Sequence, residues 1–215
     1  MKVKKYPQSH LVITSDSGSP REVGKKLIID PGYLTYKFGF KIEDFQGADV
    51  YLITHQHADH LDPETIKEVV GNSPVYGNSD VVAKLAEVGV KAKEAKDRQK
   101  FSAAGFEITP IDLPHCQIAG KEVPPNTGFV INGVFFHAGD GFKLEGVSVE
   151  TAALPIGHPA LTNAGVMEFA KSLGVKLLIP IHYDAYPRDP NEFKKLAEPL
   201  GIEVRPLANG EETTI

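Results

Sequence analysis

Tryptophan is absent from this 215-residue chain, methionine occurs twice and cysteine once. A lone cysteine, Cys116, rules out an intrachain disulfide and any cysteine-built zinc knuckle, and next to His115 it reads as a small buried hydrophobe. Long apolar runs are missing too. Nothing is suited to span a bilayer, and the opening Met1-Lys2-Val3-Lys4-Lys5-Tyr6-Pro7 has no signal-peptide core, so the expected location is the cytoplasm. Positive charge is in deficit: a formal charge of −5 and a pI near 5.9 argue against a broad nucleic-acid-binding surface. The densest basic stretch, Lys91 to Lys100, also carries Glu94 and Asp97 and reads as a solvated loop or helix face.

With 41% apolar residues the chain can bury a substantial core, and residues 1–215 are expected to form one domain, without a repeat, low-complexity tract or linker to divide them. Strand-like segments alternate with helices in two rounds. The first runs through Leu11 to Thr14, Leu27 to Asp30, Val50 to Thr54 and Val75 to Gly77, with helices after Asp62 and Ser79. Val82, Leu85 and Ala86 give the second of these helices an apolar face, and Gly89 ends it. The second round has strands near Phe106 to Leu113, Gly128 to Ile131, Val134 to His137, Val147 to Leu154 and Lys176 to Ile181. Thr162 or Asn163 caps its first helix, whose Val166, Phe169, Ala170 and Leu173 share a face before Gly174. Phe193, Leu196, Ala197 and Leu200 repeat the pattern before Gly201, and Pro199 should tighten or end that last turn. Two strand-rich halves with helices outside predict a four-layer α/β/β/α sandwich.

The most informative segment is Thr54-His55-Gln56-His57-Ala58-Asp59-His60, which gathers three of the eight histidines and a carboxylate after the apolar run Val50-Tyr51-Leu52-Ile53. Asp62-Pro63 then supplies a cap and a first helical residue, so the segment occupies a strand-to-helix turn. His55 and His57 are two apart and project from one side if strand geometry persists, whereas Asp59 and His60 lie further along the loop. Two clusters can form side by side. Imidazole nitrogen with carboxylate oxygen suits zinc, and also manganese or iron, better than calcium or magnesium, which prefer all-oxygen shells. The pattern indicates a metal centre of one or two ions.

Thr-His-x-His-x-Asp-His after a hydrophobic strand resembles the signature of the metallo-β-lactamase-fold hydrolase superfamily. The resemblance runs along nearly the whole chain. Leu27-Ile28-Ile29-Asp30-Pro31-Gly32 is similar to the strand and aspartate turn that precede the signature, and His115 follows Phe106 to Leu113 where the next histidine ligand is expected. Gly139-Asp140 stands where the bridging aspartate is expected, and Ile179-Pro180-Ile181-His182 completes the set. The resemblance implies that His55, His57 and His115 hold one metal, that Asp59, His60 and His182 hold a second, that Asp140 bridges them, and that Asp30 supports them from behind. It implies the same four-layer fold, and hydrolysis by a metal-bound water whose pKa zinc brings to about 7. Ala153-Leu154-Pro155-Ile156-Gly157, then a helix, then Pro180-Ile181-His182-Tyr183, resembles the compact subgroup that includes lactonases of sugar-acid phosphates.

Three histidines fall outside that set. His10, at a strand start, is either a strand-end residue or, as in the resembling subgroup, a neighbour of the site. His137, in the apolar strand before Asp140, reads as a satisfied, partly buried histidine. His158, in a loop expected at the metal mouth, is either an exposed loop residue or a group that protonates a leaving group or binds an anionic substrate. Tyr183, beside His182, is either a phenol donor to a developing oxyanion or packing behind the ligand. The rings of Tyr33-Leu34-Thr35-Tyr36-Lys37-Phe38-Gly39-Phe40 either cover a substrate, with Lys37 meeting a negative group, or pack under the first helix.

The expected activity is metal-dependent hydrolysis, with zinc favoured, of a small-molecule ester, lactone or phosphate ester, and Asp59, His158 and Tyr183 are the catalytic candidates. A metal-dependent nuclease or phosphodiesterase is one alternative, and the acidic balance counts against it. A non-hydrolytic di-iron redox protein is the other; the histidine-rich ligand set counts against that. The expected partner is a small-molecule substrate, with neither nucleic acid nor membrane, and a homo-oligomer stays open.

Overall fold

The computed structural model describes residues 1–16, 24–186 and 188–215, the side chain of Leu34 excepted. Its first sheet contains β1 (Lys2–Lys5), β2 (Leu11–Thr14), β3 (Lys26–Ile29), β4 (Val50–Ile53), β5 (Val75–Gly77) and β6 (Ala92–Glu94) in that spatial order. The second contains β7 (Phe101–Ala103), β8 (Phe106–Leu113), β9 (Asn126–Ile131), β10 (Phe135–His137), β11 (Thr151–Pro155), β12 (Leu177–Ile181) and β13 (Glu203–Val204). A last strand, β14 (Glu212–Thr214), returns to pair with β1 at the edge of the first sheet. Helix α1 (Leu34–Lys37) and a 3-10 turn over Ile42–Phe45 follow β3; α2 (Pro63–Val69) and α3 (Ser79–Glu87) flank β5. In the second half α4 (Asn163–Ser172) leads into β12 and α5 (Pro190–Ala197) into β13.

Period-two alternation along the strands generates the layers. Leu27 and Ile29 of β3 and Val50 and Leu52 of β4 face the second sheet, where Phe106, Ile108, Phe129, Ile131 and Ile181 meet them. Ile28, Tyr51 and Ile53, one residue out of phase, face Ile66 and Val69 of α2 and Val81 and Leu85 of α3. On the far side Val130, Phe136, Leu154 and Leu178 pack against Val166, Phe169 and Ala170 of α4 and Phe193 and Ala197 of α5. The result is the predicted four-layer sandwich, with one core between the sheets and one under each helical layer. No helix among the described residues is long and apolar enough to cross a membrane.

Strand direction positions the site. β3 through β6 run parallel, as do β10 through β13, while β9 is antiparallel to both β8 and β10, which makes β8 co-directional with β10. The chain therefore leaves the C-terminal ends of β3, β4, β8, β10, β11 and β12 immediately before Asp30, Thr54, His115, Asp140, Gly157 and His182.

Several boundaries differ from those predicted. Val147 to Leu154 is strand only from Thr151, because Val149 N–H bonds to Leu173 O at the end of α4, 2.9 Å away. The basic stretch Lys91 to Lys100 is not simply a loop or helix face: β6 pairs in parallel with β5, leaving its charges on an exposed edge. The polar sequences of β1, β13 and β14 give no apolar signal. In α3 the buried pair is Val81 and Leu85, with Ala86 exposed. In α5 only Phe193 and Ala197 are buried; Leu196 and Leu200 are 44% and 41% exposed, so the expected apolar face is narrower than its sequence.

His10 belongs to the packing rather than to the polar edge. Its ring is fully buried, stacked on Tyr6 at 4.9 Å and tilted against Phe45 at 4.5 Å, with Nδ1 3.1 Å from Thr35 Oγ1. Burial, and after it the charge of Lys5, pushes its pKa down to about 3. Between that value and the ordinary value near 6.5 the unfolded chain binds a proton that the native state refuses. This contribution to stability is therefore complete above pH 6.5 and is lost as the pH falls toward 3, by roughly 4–5 kcal/mol in full. Denaturant unfolding of metal-free His10→Gln should show a shallower loss of stability than the wild type between pH 6.5 and 4, by about 3 kcal/mol. Superimposable pH profiles would assign the acid sensitivity elsewhere.

Candidate metal centre

Backbone contacts at the strand ends fix the loops that carry the polar groups. Asp30 adopts a left-handed backbone at φ 53° and turns the chain back after β3. Gly32 then packs so closely on the Asp59 carbonyl that a Cβ would overlap it, which is why this turn needs glycine. Tyr33 N–H donates to Ala58 O at 3.0 Å, joining the two loops. The Thr54 carbonyl accepts from Thr127 N at 2.9 Å and from Asn78 Nδ2 at 3.1 Å, and Asn78 also caps α3.

Two groups of side chains converge above these turns: His55, His57, His115 and Asp140, and beside them Asp59, His60 and His182. In the first, His55 Nε2 and His57 Nδ1 are 3.1 Å apart, His115 Nε2 and His57 Nδ1 3.2 Å, and His115 Nε2 and His55 Nε2 3.3 Å. Their other nitrogens decide the tautomers. His115 Nδ1 lies 2.7 Å from Cys116 O, which can only accept, so its proton is there and Nε2 is bare. The Thr54 hydroxyl donates to Asp30 Oδ2 at 2.7 Å and so accepts from His55 Nδ1 at 3.1 Å, which leaves His55 Nε2 bare as well. Two lone pairs 3.3 Å apart face each other across the same small volume. A tetrahedral ion with bonds of about 2.0 Å has ligands about 3.3 Å apart, so the triangle fits zinc.

Asp140 lies between the groups. One of its oxygens is 3.3 Å from His60 Nε2, the other 3.3 Å from His182 Nε2 and 3.7 Å from His115 Nε2. His60 donates through Nδ1 to Asp30 Oδ2 at 2.7 Å, which turns its Nε2 toward Asp140. His60 Nε2 and Asp140 Oδ1 are buried without a hydrogen-bond partner, which a cation between them would satisfy. Asp59 Oδ2 stands 3.2 Å from His182 Nε2 and is part-exposed, as is His57; the remaining members of both groups are buried.

The electrostatics differ between the groups. Burial, followed by His60 for His55 and by His115 for His57, holds these imidazoles below the ordinary value; burial does the same to His115. They are neutral, the state that metal ligation requires. Burial also opposes charge on His60 and His182, but Asp140 and then Asp30 outweigh it at His60, and Asp140 and Asp59 at His182, so both are raised. For Asp59 and Asp140 burial works upward, and the imidazoles of His60 and His182 overcome it and keep both ionised.

Residues 20–182 match the family described as the β-lactamase superfamily domain. The UPF0173 metal-dependent hydrolase of Methanocaldococcus jannaschii is 31% identical over 177 residues, covering 75% of this chain and 81% of that protein. The chain belongs to the UPF0173 metal-dependent hydrolase family, within the β-lactamase superfamily. Igni18, a metallo hydrolase from the hyperthermophilic archaeon Ignicoccus hospitalis, superposes at TM-score 0.79 and 24% identity, over 100% of this chain and 97% of its own. The isothiocyanate hydrolase from Delia radicum gut bacteria superposes at TM-score 0.75 and 18% identity, over 100% and 99% of the two chains. Both share the metallo-β-lactamase fold with this UPF0173 member.

The remaining candidates divide. His158 is buried, not an exposed loop residue, with ring centroids 6.0 Å from His115 and 6.3 Å from His182, so it faces both groups. Tyr183 does not face them: its hydroxyl donates to Leu207 O at 3.0 Å, which corrects the expected oxyanion donor. Tyr186, to which the sequence drew no attention, stacks on His182 at 5.6 Å with 15° between the rings. Lys37 lies over the Tyr33 ring at 4.6 Å, and His137 is fully buried, donating from Nε2 to Ser9 O at 2.8 Å and accepting from Gly139 N at 3.1 Å. Cys116 is buried, its thiol pushed up to about 12 by burial and then by Asp140.

Zinc titration of the UPF0173 protein should resolve two equivalents with different proton linkage. The neutral triangle should take the first with little proton release, while the second must displace protons from His60 and His182 and so bind more tightly as pH rises. Calorimetry in buffers of different ionisation heat counts those protons; equal release in both steps would contradict the assignment.

Proposed function

We propose that this family member is a zinc-dependent, cytoplasmic hydrolase of a small-molecule ester, lactone or phosphate ester. In this reading His55, His57, His115 and Asp140 hold one ion, and Asp59, His60, His182 and the shared Asp140 a second. The bare, convergent nitrogens of His55 and His115 carry the proposal, because a cation held between them would relieve their facing lone pairs. The mixed nitrogen and oxygen donors favour zinc, with manganese and iron the metals next in fit. When bound, zinc acts as a Lewis acid and brings the pKa of a coordinated water to about 7.

The side chains supply orientation and proton transfer. Asp59, ionised and part-exposed, accepts a hydrogen bond from the attacking water and aims its lone pair at the substrate. His158 Nδ1 accepts from Ala160 N at 3.2 Å, so the proton is on Nε2. Burial lowers its pKa, and a neutral ring at pH 7 offers that Nε2–H to the substrate oxygen that gains charge. Burial and then the Asp59 charge raise the Tyr186 phenol, which stays protonated and shields the outer face of His182.

Metal analysis and a substrate panel test this. The panel includes lactones first, on the subgroup resemblance, then carboxylic esters, phosphomonoesters and phosphodiesters, and isothiocyanates on the shared fold. Chelator-sensitive turnover of a small ester, lactone or phosphate ester is expected. Cleavage confined to nucleic acid, or reversible iron redox chemistry without hydrolysis, would replace the reading.

Asp59→Asn keeps the shape and removes the charge. Its kcat should fall at least about 100-fold with KM changed much less, and its pH–rate profile should shift alkaline. Wild-type turnover with an unshifted profile would make Asp59 a spectator.

A further inference from the structure

A buried polar network outside both groups joins three distant segments of chain. Lys5, the last residue of β1, is fully buried. Its Nζ lies 2.9 and 3.2 Å from the two carboxylate oxygens of Asp184, 2.8 Å from Asn209 Oδ1 and 3.1 Å from Tyr6 O, so all three donors are used. Asn209 Nδ2 closes the circuit with a 2.8 Å bond to Asp184 Oδ1. Asp184 stands two residues beyond His182, and its other oxygen accepts Gln8 N–H at 2.7 Å.

Gln8 carries the connection to the metal centre. His182 N donates to Gln8 O at 3.0 Å, Ala185 N donates to Gln8 Oε1 at 3.0 Å, and Gln8 Nε2 lies 3.4 Å from His182 Nε2. Both residues hold a left-handed backbone, at φ 60° for Gln8 and 58° for His182, which non-glycine residues adopt only under constraint. On the opposite side Gly157 presses against the turn so closely that a Cβ would overlap the His182 carbonyl. The turn is gripped from two sides.

A buried ion pair gives little net stability over apolar residues of the same volume, so its presence here calls for another role. We propose that the Lys5–Asp184 pair is a positioning device: acting through Gln8, it locks the His182 turn so that the imidazole meets Asp59 and Asp140, and so sets how tightly the second cation is held. The inference rests on the two-ion reading of the centre.

Two variants test it, Asp184→Asn and the double replacement Lys5→Met with Asp184→Leu, which leaves no lone buried charge. Zinc titration of each should show the second equivalent weakened about 10–100-fold and the first unchanged. In the metal-free proteins, amide exchange at His182 and Ala185 should accelerate at least tenfold while Ile108 and Phe129 in the core between the sheets keep wild-type protection. A uniform loss of protection, or failure of both variants to fold, would assign the pair to general stability and overturn the proposal. So would folded variants with a wild-type second equivalent. A wild type that binds a single equivalent would remove the two-ion reading itself, and the positioning role with it.

Discussion

Desolvated charge is the constraint around which this molecule is arranged. Asp30, His60, Asp140 and His182 are all buried, where an unanswered charge costs several kcal/mol. The fold answers each with a partner fixed by backbone. Asp30 accepts from Thr54 N at 2.8 Å, from the Thr54 hydroxyl and from His60 Nδ1, and in doing so turns the other nitrogen of His60 toward Asp140. Co-directional strands deliver these groups to one edge, and the apolar core between the sheets keeps the strand ends in register. What the partners leave unanswered is a set of lone pairs pointing inward, and that residue of unsatisfied chemistry is the site.

Local pattern revealed most of this, because most of it is local. Unbroken apolar runs in Leu27–Ile29 and Val50–Ile53 made the layers legible, since a strand buried on both faces must be apolar at every position. The ligand motif was equally plain, as a single turn carries three imidazoles and a carboxylate. The misread positions depend on contacts far away in sequence. Tyr183 loses its expected role to the carbonyl of Leu207, and Leu196 and Leu200 stay in solvent because α5 rests on Phe193 and Ala197 alone. His10 and the polar strands β1 and β14 could not be placed from their own composition, since what holds them is Tyr6, Phe45 and each other.

The two halves of the centre have different characters. The triangle of His55, His57 and His115 is a neutral, rigid receptor whose tautomers are set by Cys116 O and Thr54 before any ion arrives. In the group of Asp59, His60 and His182 the neighbouring carboxylates raise both imidazoles, so protons compete with a metal there. In the two-ion reading the fold offers one seat that is already neutral and a second at which protons compete, joined by Asp140.

The network around Lys5 also governs when the centre can exist. The Lys5–Asp184 and Lys5–Asn209 bonds span 179 and 204 residues of sequence, whereas the His55–His57 pair spans two. Contacts of such separation form late, because the chain must lose most of its freedom before they close. A chain emerging from the ribosome therefore builds the H-x-H turn early and seats His182 only when the segment that carries Asn209 is free to dock. The turn that carries His182 is thus expected to be among the last parts of the centre to order.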